Sequence, residues 1–264
     1  MKLGFIGTGN MASAIMGGII KNQIIPANDI IGADVMEAGR ERVKEQFKIQ
    51  VTADNHEVIN RSDIVILSVK PQFYAEVIAE IKDDVREDQI IITIAPGKTL
   101  AWLKEQFGKN VKIVLTMPNT QALVGSGMTD AGPNEYMTKE EIAYVLTLLE
   151  SFGRVEIIPE RLMDTVVSVS GSSPAYVFMF IEAMADAAVS GGMPRAQAYQ
   201  FAAQAVLGSA KMVLETGKHP GELKDMVCSP AGTTIEAVRV LEEKGFRSSV
   251  IEAMKTCEEI SKSM

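Results

Sequence analysis

The chain opens on a short apolar run, Lys2-Leu3-Gly4-Phe5-Ile6, which passes directly into Gly7-Thr8-Gly9-Asn10-Met11-Ala12 and then into a stretch of helical periodicity. No other segment constrains the fold as strongly. A strand, a glycine turn and a helix in that order begin a βαβ unit. Gly7 permits the tight turn, Gly9 lets the backbone approach a ligand, and Ala12 in the third position is small enough for close helix–strand packing. Free N–H groups and the positive end of the helix dipole meet at such a turn, so it suits a pyrophosphate. An ordinary βα turn without a ligand is the competing reading. The strand before, the helix after and an acid downstream favour a dinucleotide and, with it, redox chemistry.

The first part of the chain continues the alternation. Short apolar runs at residues 29–33, 64–68, 90–94, 112–116 and 155–158 read as strands. Helical patterns at 10–21, 36–46, 72–81 and 98–107 lie between them. Such alternation predicts parallel βαβ units with right-handed crossovers. The run Asp63-Ile64-Val65-Ile66-Leu67-Ser68-Val69 is almost wholly apolar, as a central strand covered on both faces requires. After about Arg161 the texture changes to long Ala- and Met-rich helical segments at 173–190, 194–215, 220–227, 233–244 and 246–263, separated by Gly/Pro breaks. The expectation is an α/β Rossmann-type domain over residues 1–161, with a mostly parallel sheet, and an all-α domain over 162–264. In the latter, residues 176–185 are apolar nearly all round. A small helical domain has too much surface for its volume to bury such a helix alone. The pattern predicts an intersubunit core and an obligate dimer, the alternative being a central helix within one subunit.

Charge and rare residues exclude several classes. The formal net charge is −8 and no Lys/Arg run offsets it, which argues against nucleic-acid binding. Cys228 and Cys257 cannot form a CxxC pair, and with only His56 and His219 no metal site is expected. No signal-peptide pattern and no membrane-length apolar run stand in the sequence, so a cytoplasmic enzyme with no membrane partner is expected.

Asp34 closes the second strand at the distance where an acid accepts hydrogen bonds from the ribose of NAD, whereas Arg40 and Arg42 on the next helix could turn toward a 2′-phosphate. The balance tips slightly to NADH. Ser68-Val69-Lys70-Pro71, Ala95-Pro96-Gly97 and Met117-Pro118-Asn119-Thr120 each follow a strand and together outline one crevice floor. Lys70 reads either as a ligand for phosphate or carboxylate, or as a solvated strand-end lysine. Ser229-Pro230-Ala231-Gly232-Thr233-Thr234 brings hydroxyl and N–H donors to a helix start, which suits a carboxylate, although simple capping would use the same residues. Ser170-Gly171-Ser172-Ser173-Pro174 reads the same way, as a donor loop before a helix. No nucleophile–base pair is evident. Carbonyl reduction normally wants a protein acid. A cyclic imine protonated in solution does not, and positioning alone then serves.

These motifs resemble those of the pyrroline-5-carboxylate reductase family. The resemblance is carried by residues 5–12, Ser68-Val69-Lys70-Pro71-Gln72, Met117-Pro118-Asn119-Thr120 and Ser170-Gly171-Ser172-Ser173-Pro174-Ala175-Tyr176. The long run from His219 to Thr234 is the most specific, and the motifs follow one another along nearly the whole chain. The resemblance implies NAD(P)H-dependent reduction of (S)-1-pyrroline-5-carboxylate to L-proline, the last step of proline biosynthesis, by an interlocked homodimer that in the family often assembles into a decamer. By position it places Gly7, Thr8, Gly9, Asn10, Met11, Asp34, Asn55, Ser68, Val69, Lys70, Pro71, Ala95, Pro96 and Gly97 at the cofactor, NADPH or NADH. It places Ser229, Ala231, Gly232 and Thr233, with Met117, Asn119 and Ser172, at the substrate. Thr234 is the catalytic assignment, hydrogen-bonding the ring nitrogen. The chain departs from the common pattern at Leu115, where the family has Arg, at Gln121, usually Pro, and at Val35 and Met36, often basic or hydroxyl residues. The last departure removes 2′-phosphate ligands. A β-hydroxyacid dehydrogenase relative would need a catalytic Lys with Asn four residues on near 161–175, which is missing. A non-catalytic NAD(P)-binding sensor would have no need of the Ser229–Thr234 donors.

Overall fold

The computed structural model describes residues 1–263 and divides into two compact units, residues 1–171 with 258–263, and residues 172–257. The first unit is built on β1 (Leu3–Ile6), β2 (Ile30–Ala33), β3 (Gln50–Thr52), β4 (Ile64–Leu67), β5 (Ile90–Thr93), β6 (Lys112–Thr116), β7 (Gly127–Pro133) and β8 (Gly153–Ile157). They form one sheet in the order β3-β2-β1-β4-β5-β6-β7-β8. All neighbours are parallel except β6 and β7. Between the strands run α1 (Asn10–Lys21), α2 (Glu37–Phe47), α3 (Asn55–Arg61), α4 (Tyr74–Ile81), α5 (Leu100–Phe107) and α6 (Lys139–Glu150).

The apolar strands are buried on both faces, and their alternation sorts side chains into two cores. Leu3, Phe5, Ile64 and Ile66 join Ile15, Met16 and Ile19 of α1 and Leu148 and Leu149 of α6. Ile6, Val65 and Leu67 join Val58 and Ile59 of α3, Tyr74 and Ile78 of α4 and Leu103 of α5. Local signals bound the helices. Thr138 and Glu141 form a capping box on α6, while Thr99 opens α5 and Gly108, at φ +65°, closes it.

Two strands escape the sequence pattern. β3 is only three residues long and poorly buried, so no apolar run announces it. β7, Gly-Met-Thr-Asp-Ala-Gly-Pro, has a composition poor for strands, and it forms because β6 and β8 pair with it on either side.

Past β8 the chain is helical. α7 (Met163–Val166) runs into a π-helical stretch, Val167–Ser172. The sequence reading took Ser170-Gly171-Ser172 as a loop, and the structure corrects this to helix. Pro174 carries no N–H to offer the carbonyl four residues back, so the Ser170 oxygen is left open to another donor. The second unit holds α8 (Ser173–Ser190), α9 (Arg195–Thr216), α10 (Pro220–Val227), α11 (Thr233–Glu243) and most of α12 (Phe246–Lys262). α8 packs on α9, and Phe180 meets Phe246 with ring centroids 6.0 Å apart. Of α8 only Pro174 and Ala185 are buried, and of α9 only Ala198 and Ala202. Phe178, Met179, Phe201 and Leu214 are largely exposed. The helical run Glu160–Ser190 is the one, among the described residues, long and apolar enough to cross a membrane by length and composition alone.

Candidate active site

Because β1, β2, β4, β5 and β6 are parallel neighbours, their carboxyl ends share one edge of the sheet. The chain leaves in opposite directions from β1 and β4, which makes the seam between them the topological switch point where ligands of open α/β sheets bind. Gly7-Thr8-Gly9 follow β1, and Asn10 and Met11 begin α1. Ser68-Val69-Lys70 follow β4, with Pro71 opening a short 3-10 turn. Ala95-Pro96-Gly97 follow β5, and Met117 and Asn119 follow β6. Asp34 stands directly after β2, and Asn55 begins α3 after β3. All these residues, called from the sequence, therefore gather along one edge.

The glycines have separate jobs. Gly7 has φ +95°, and a Cβ there would sit 2.8 Å from the Ser68 backbone. The Ser68 hydroxyl donates to the carbonyls of Ile6 and Gly7, at 3.1 and 2.7 Å, which sews β4 to the turn. Gly9, by contrast, has no atom within 4 Å of a notional Cβ. It stands at the N-cap of α1, which has no side-chain cap and no acid in its first turn. An open, uncapped, acid-free helix start fits the pyrophosphate of NAD(P)H, so Gly7–Met11 would hold it.

Asp34 is more occupied than its sequence position suggests. Its Oδ2 accepts both the N–H and the hydroxyl of the fully buried Thr8, at 2.8 and 2.9 Å, and its Oδ1 accepts the Met36 N–H at 2.9 Å. The Arg40 guanidinium donates to the Asp34 carbonyl at 2.7 Å, and that of Arg42 to the Thr8 carbonyl at 2.5 Å. Two cations thus stand beside Asp34 and the glycine turn. Asn55 donates to Glu80 at 2.9 Å, and His56 next to it bonds Asp84, which raises the imidazole above its ordinary range. Asp54, His56 and Glu80 bring potential metal-ligand atoms within 4.8 Å of one another, all of them exposed. Lys70 is exposed and its ammonium bonds to no other described residue.

Two residues at this edge were not singled out from the sequence. The buried Tyr74 donates its hydroxyl to the Leu67 carbonyl and accepts the Ile94 N–H at 3.2 Å, tying the ends of β4 and β5 together. Burial raises the phenol well above its usual value, so it is a brace and not an acid. Asp130 of β7, only 2% exposed, accepts the Met117 N–H at 2.9 Å, and desolvation pushes its pKa up to about 6. An aromatic polar tip in the apolar stretch after Pro71 could have flagged Tyr74. Asp130 lies in a segment the sequence reading did not recognise as a strand.

The second unit carries the donor loop. Gly232 is the N-cap of α11 with no side-chain cap, and its N–H closes a turn onto the Ser229 carbonyl at 3.0 Å. Ala231 adopts φ +57°, a left-handed conformation that an L-residue pays to hold. Thr233 and Thr234 are the first two residues of α11. The hydroxyls of Ser229, Thr233 and Thr234 bond to no other described residue. Uncommitted hydroxyls at an uncapped helix start suit a carboxylate. Ser172, also in this unit, accepts a hydrogen bond from the Cys257 thiol at 3.2 Å. His219 caps α10, its Nδ1 accepting the Gly221 N–H at 3.0 Å.

A doubly wound sheet with a glycine turn at its switch point, followed by a helical unit, defines an NAD(P)-dependent oxidoreductase. Comparison with known proteins agrees. The family model for pyrroline-5-carboxylate reductase dimerisation matches residues 160–264, and that described as NADP oxidoreductase coenzyme F420-dependent matches residues 2–97. The pyrroline-5-carboxylate reductase of Escherichia coli is 54% identical over all of this chain and 98% of its own length. That of Methanosarcina acetivorans is 42% identical over 100% and 97%. The pyrroline-5-carboxylate reductase structure from Coxiella burnetii superposes with a TM-score of 0.93 at 33% identity, covering 99% of this chain and 97% of that one. The Plasmodium falciparum enzyme, solved with NADP bound, gives 0.90 at 32% identity over 100% and 97%. The chain belongs to the pyrroline-5-carboxylate reductase family of NAD(P)H-dependent oxidoreductases.

Proposed function

We propose that this chain reduces (S)-1-pyrroline-5-carboxylate to L-proline in proline biosynthesis. The observation that carries the reading is a pair of donor-rich, uncapped helix starts, Gly9 on α1 for a pyrophosphate and Gly232 on α11 for a carboxylate. Bound NAD(P)H supplies the hydride. The residues of this chain bind and orient. Gly7, Thr8, Gly9, Asn10 and Met11 seat the pyrophosphate, and the strand ends at Ser68–Pro71 and Ala95–Gly97 line the way to the nicotinamide. Asp34 and Asn55 serve the adenosine end, where Arg40 and Arg42 balance the charge of Asp34 so that ribose hydroxyl and 2′-phosphate are both admitted. Ser229, Ala231, Gly232 and Thr233 hold the substrate carboxylate, and the family resemblance assigns Met117, Asn119 and Ser172 to the substrate as well. Thr234 hydrogen-bonds the ring nitrogen. A protonated imine already carries its positive charge, so catalysis is alignment rather than acid donation.

The exposed apolar faces of α8 and α9, within the span matched by the dimerisation family, support an obligate homodimer; the decamer is what the family resemblance implies. A partner subunit over the apolar run Glu160–Ser190 would account for its composition without a membrane, in keeping with the cytoplasmic location expected from the sequence. The functional boundary is placed at 161/162, within two residues of the start of the matched dimerisation span at residue 160, while the compact units part at 171/172.

The test is oxidation of NADH and NADPH by the purified protein with pyrroline-5-carboxylate; no turnover with either refutes the assignment. Thr234→Ala should lower turnover at least tenfold, roughly the worth of one transition-state hydrogen bond, with nucleotide affinity unchanged. Wild-type rates in that variant would remove Thr234 from the site.

A further inference from the structure

The turn Met117-Pro118-Asn119 is held from two sides. From β7, the Asp130 carboxylate accepts the Met117 N–H at 2.9 Å, and the Met128 N–H donates to Asn119 Oδ1 at 3.0 Å. From the π-helical stretch, the Ser170 carbonyl accepts the Asn119 Nδ2–H at 3.0 Å. Asn119 is 8% exposed and Asp130 2%. Asp130 spends only one of its oxygens this way: Oδ2 is buried and has no partner among the described residues. Fold stability alone does not call for a carboxylate here. A neutral amide would accept the Met117 N–H without the cost of desolvating a charge. Register places Leu115 opposite Gly132, so Asp130 and Gly132 flank the same stretch of β6 end from β7. No cation answers Asp130 in this region: Lys and Arg are missing from residues 113–133.

We propose that Asp130 is a positioning residue for the reduction, fixing through the Met117 N–H the turn on which the imine ring is seated. This rests on the reading of Met117 and Asn119 as substrate neighbours. In this role Asp130 acts on the turn through the Met117 N–H and not on nucleotide or ring. It acts by removing the freedom of a turn that otherwise hangs from the strand end by Asn119 alone, and that freedom would be paid each time the ring binds.

The test uses the full-length protein, Asp130→Asn and Asp130→Ala. Wild-type kinetics come first, because absent turnover overturns the proposed function itself and this role with it. In an active enzyme, Asp130→Ala should raise KM for pyrroline-5-carboxylate about tenfold while the Kd for NADPH, titrated by fluorescence without substrate, stays within twofold. Asp130→Asn keeps the acceptor and should restore KM to within about twofold of wild type. Unchanged KM in Asp130→Ala, or parallel losses in KM and nucleotide Kd, would overturn the positioning role and leave the assigned reaction standing. If Asp130→Ala does not fold, Asp130→Val, which fills the strand position without an acceptor, carries the same comparison against Asp130→Asn.

Discussion

Asp34 sits where a Rossmann protein places its ribose ligand, yet its carboxylate is already bonded to the turn. Replacing it with alanine should therefore loosen the glycine turn and weaken both nucleotides. Thr8 is fully buried, and both its N–H and its hydroxyl end on Asp34 Oδ2. The hydroxyl can rotate to another acceptor, whereas the N–H cannot, and a buried donor left unpaired costs about 1–3 kcal/mol. The Met36 N–H is exposed and returns to water at little cost. A net loss of about 2 kcal/mol corresponds to roughly thirtyfold in Kd if the turn must re-form to bind. Isothermal titration with NADH and NADPH, alongside urea denaturation, reads both effects. Asp34→Asn, which keeps one oxygen for the Thr8 N–H, should recover most of the loss. If Asp34→Ala instead improves NADPH binding alone and leaves stability unchanged, Asp34 is a discriminator at the ribose and the clamp argument is wrong.

Tyr74→Phe removes a donor from the Leu67 carbonyl and an acceptor from the Ile94 N–H, and should cost about 2–3 kcal/mol in denaturant unfolding; a loss under about 0.5 kcal/mol would mean water replaces both bonds. Ala231→Gly relieves a left-handed alanine, and after glycine's extra unfolded-state entropy should stabilise the protein by about 0.5–1 kcal/mol, seen as a raised Tm. Asp130 has a pKa of about 6 in the folded state, above that of an unfolded carboxylate at about 3.9. The folded form thus keeps a proton the unfolded form has shed, and stability falls as pH rises through that window. Asp130→Asn should be the more stable protein at pH about 8, by up to about 3 kcal/mol, and level with wild type near pH about 4. An equal gap at both pH values would refute the buried ionisation.

Much of the architecture was readable because it rests on local signals. The runs at β1, β4 and β5 are so apolar that only a sheet covered on both faces can house them, and the Gly and Pro residues that follow mark its ligand edge. What stayed hidden depends on neighbours far away in sequence. β7 is a strand through its partners and not its composition, so Asp130 carried no signal. Ser170–Ser172 are π-helical just ahead of Pro174, whose missing N–H leaves a carbonyl open, where the small hydroxyl residues read as loop. Asp34 was legible as a position but not as a partner, because its contact with Thr8 crosses 26 residues.

The Gly7 turn is stitched to Ser68 through the same carbonyls that end β1, so the nucleotide seat and the central seam of the sheet are one piece of backbone. Such a seat cannot open without parting the innermost strand pair. The bonded amides of Gly7, Thr8 and Ser68 belong among the slower to exchange with solvent, while the open amides at the start of α1 are left for the ligand. Tuning between nucleotides is left to the periphery, where Val35 and Met36 stand exposed and can be exchanged without disturbing the socket. A lineage can then drift between electron donors while the hinge of its fold stays still.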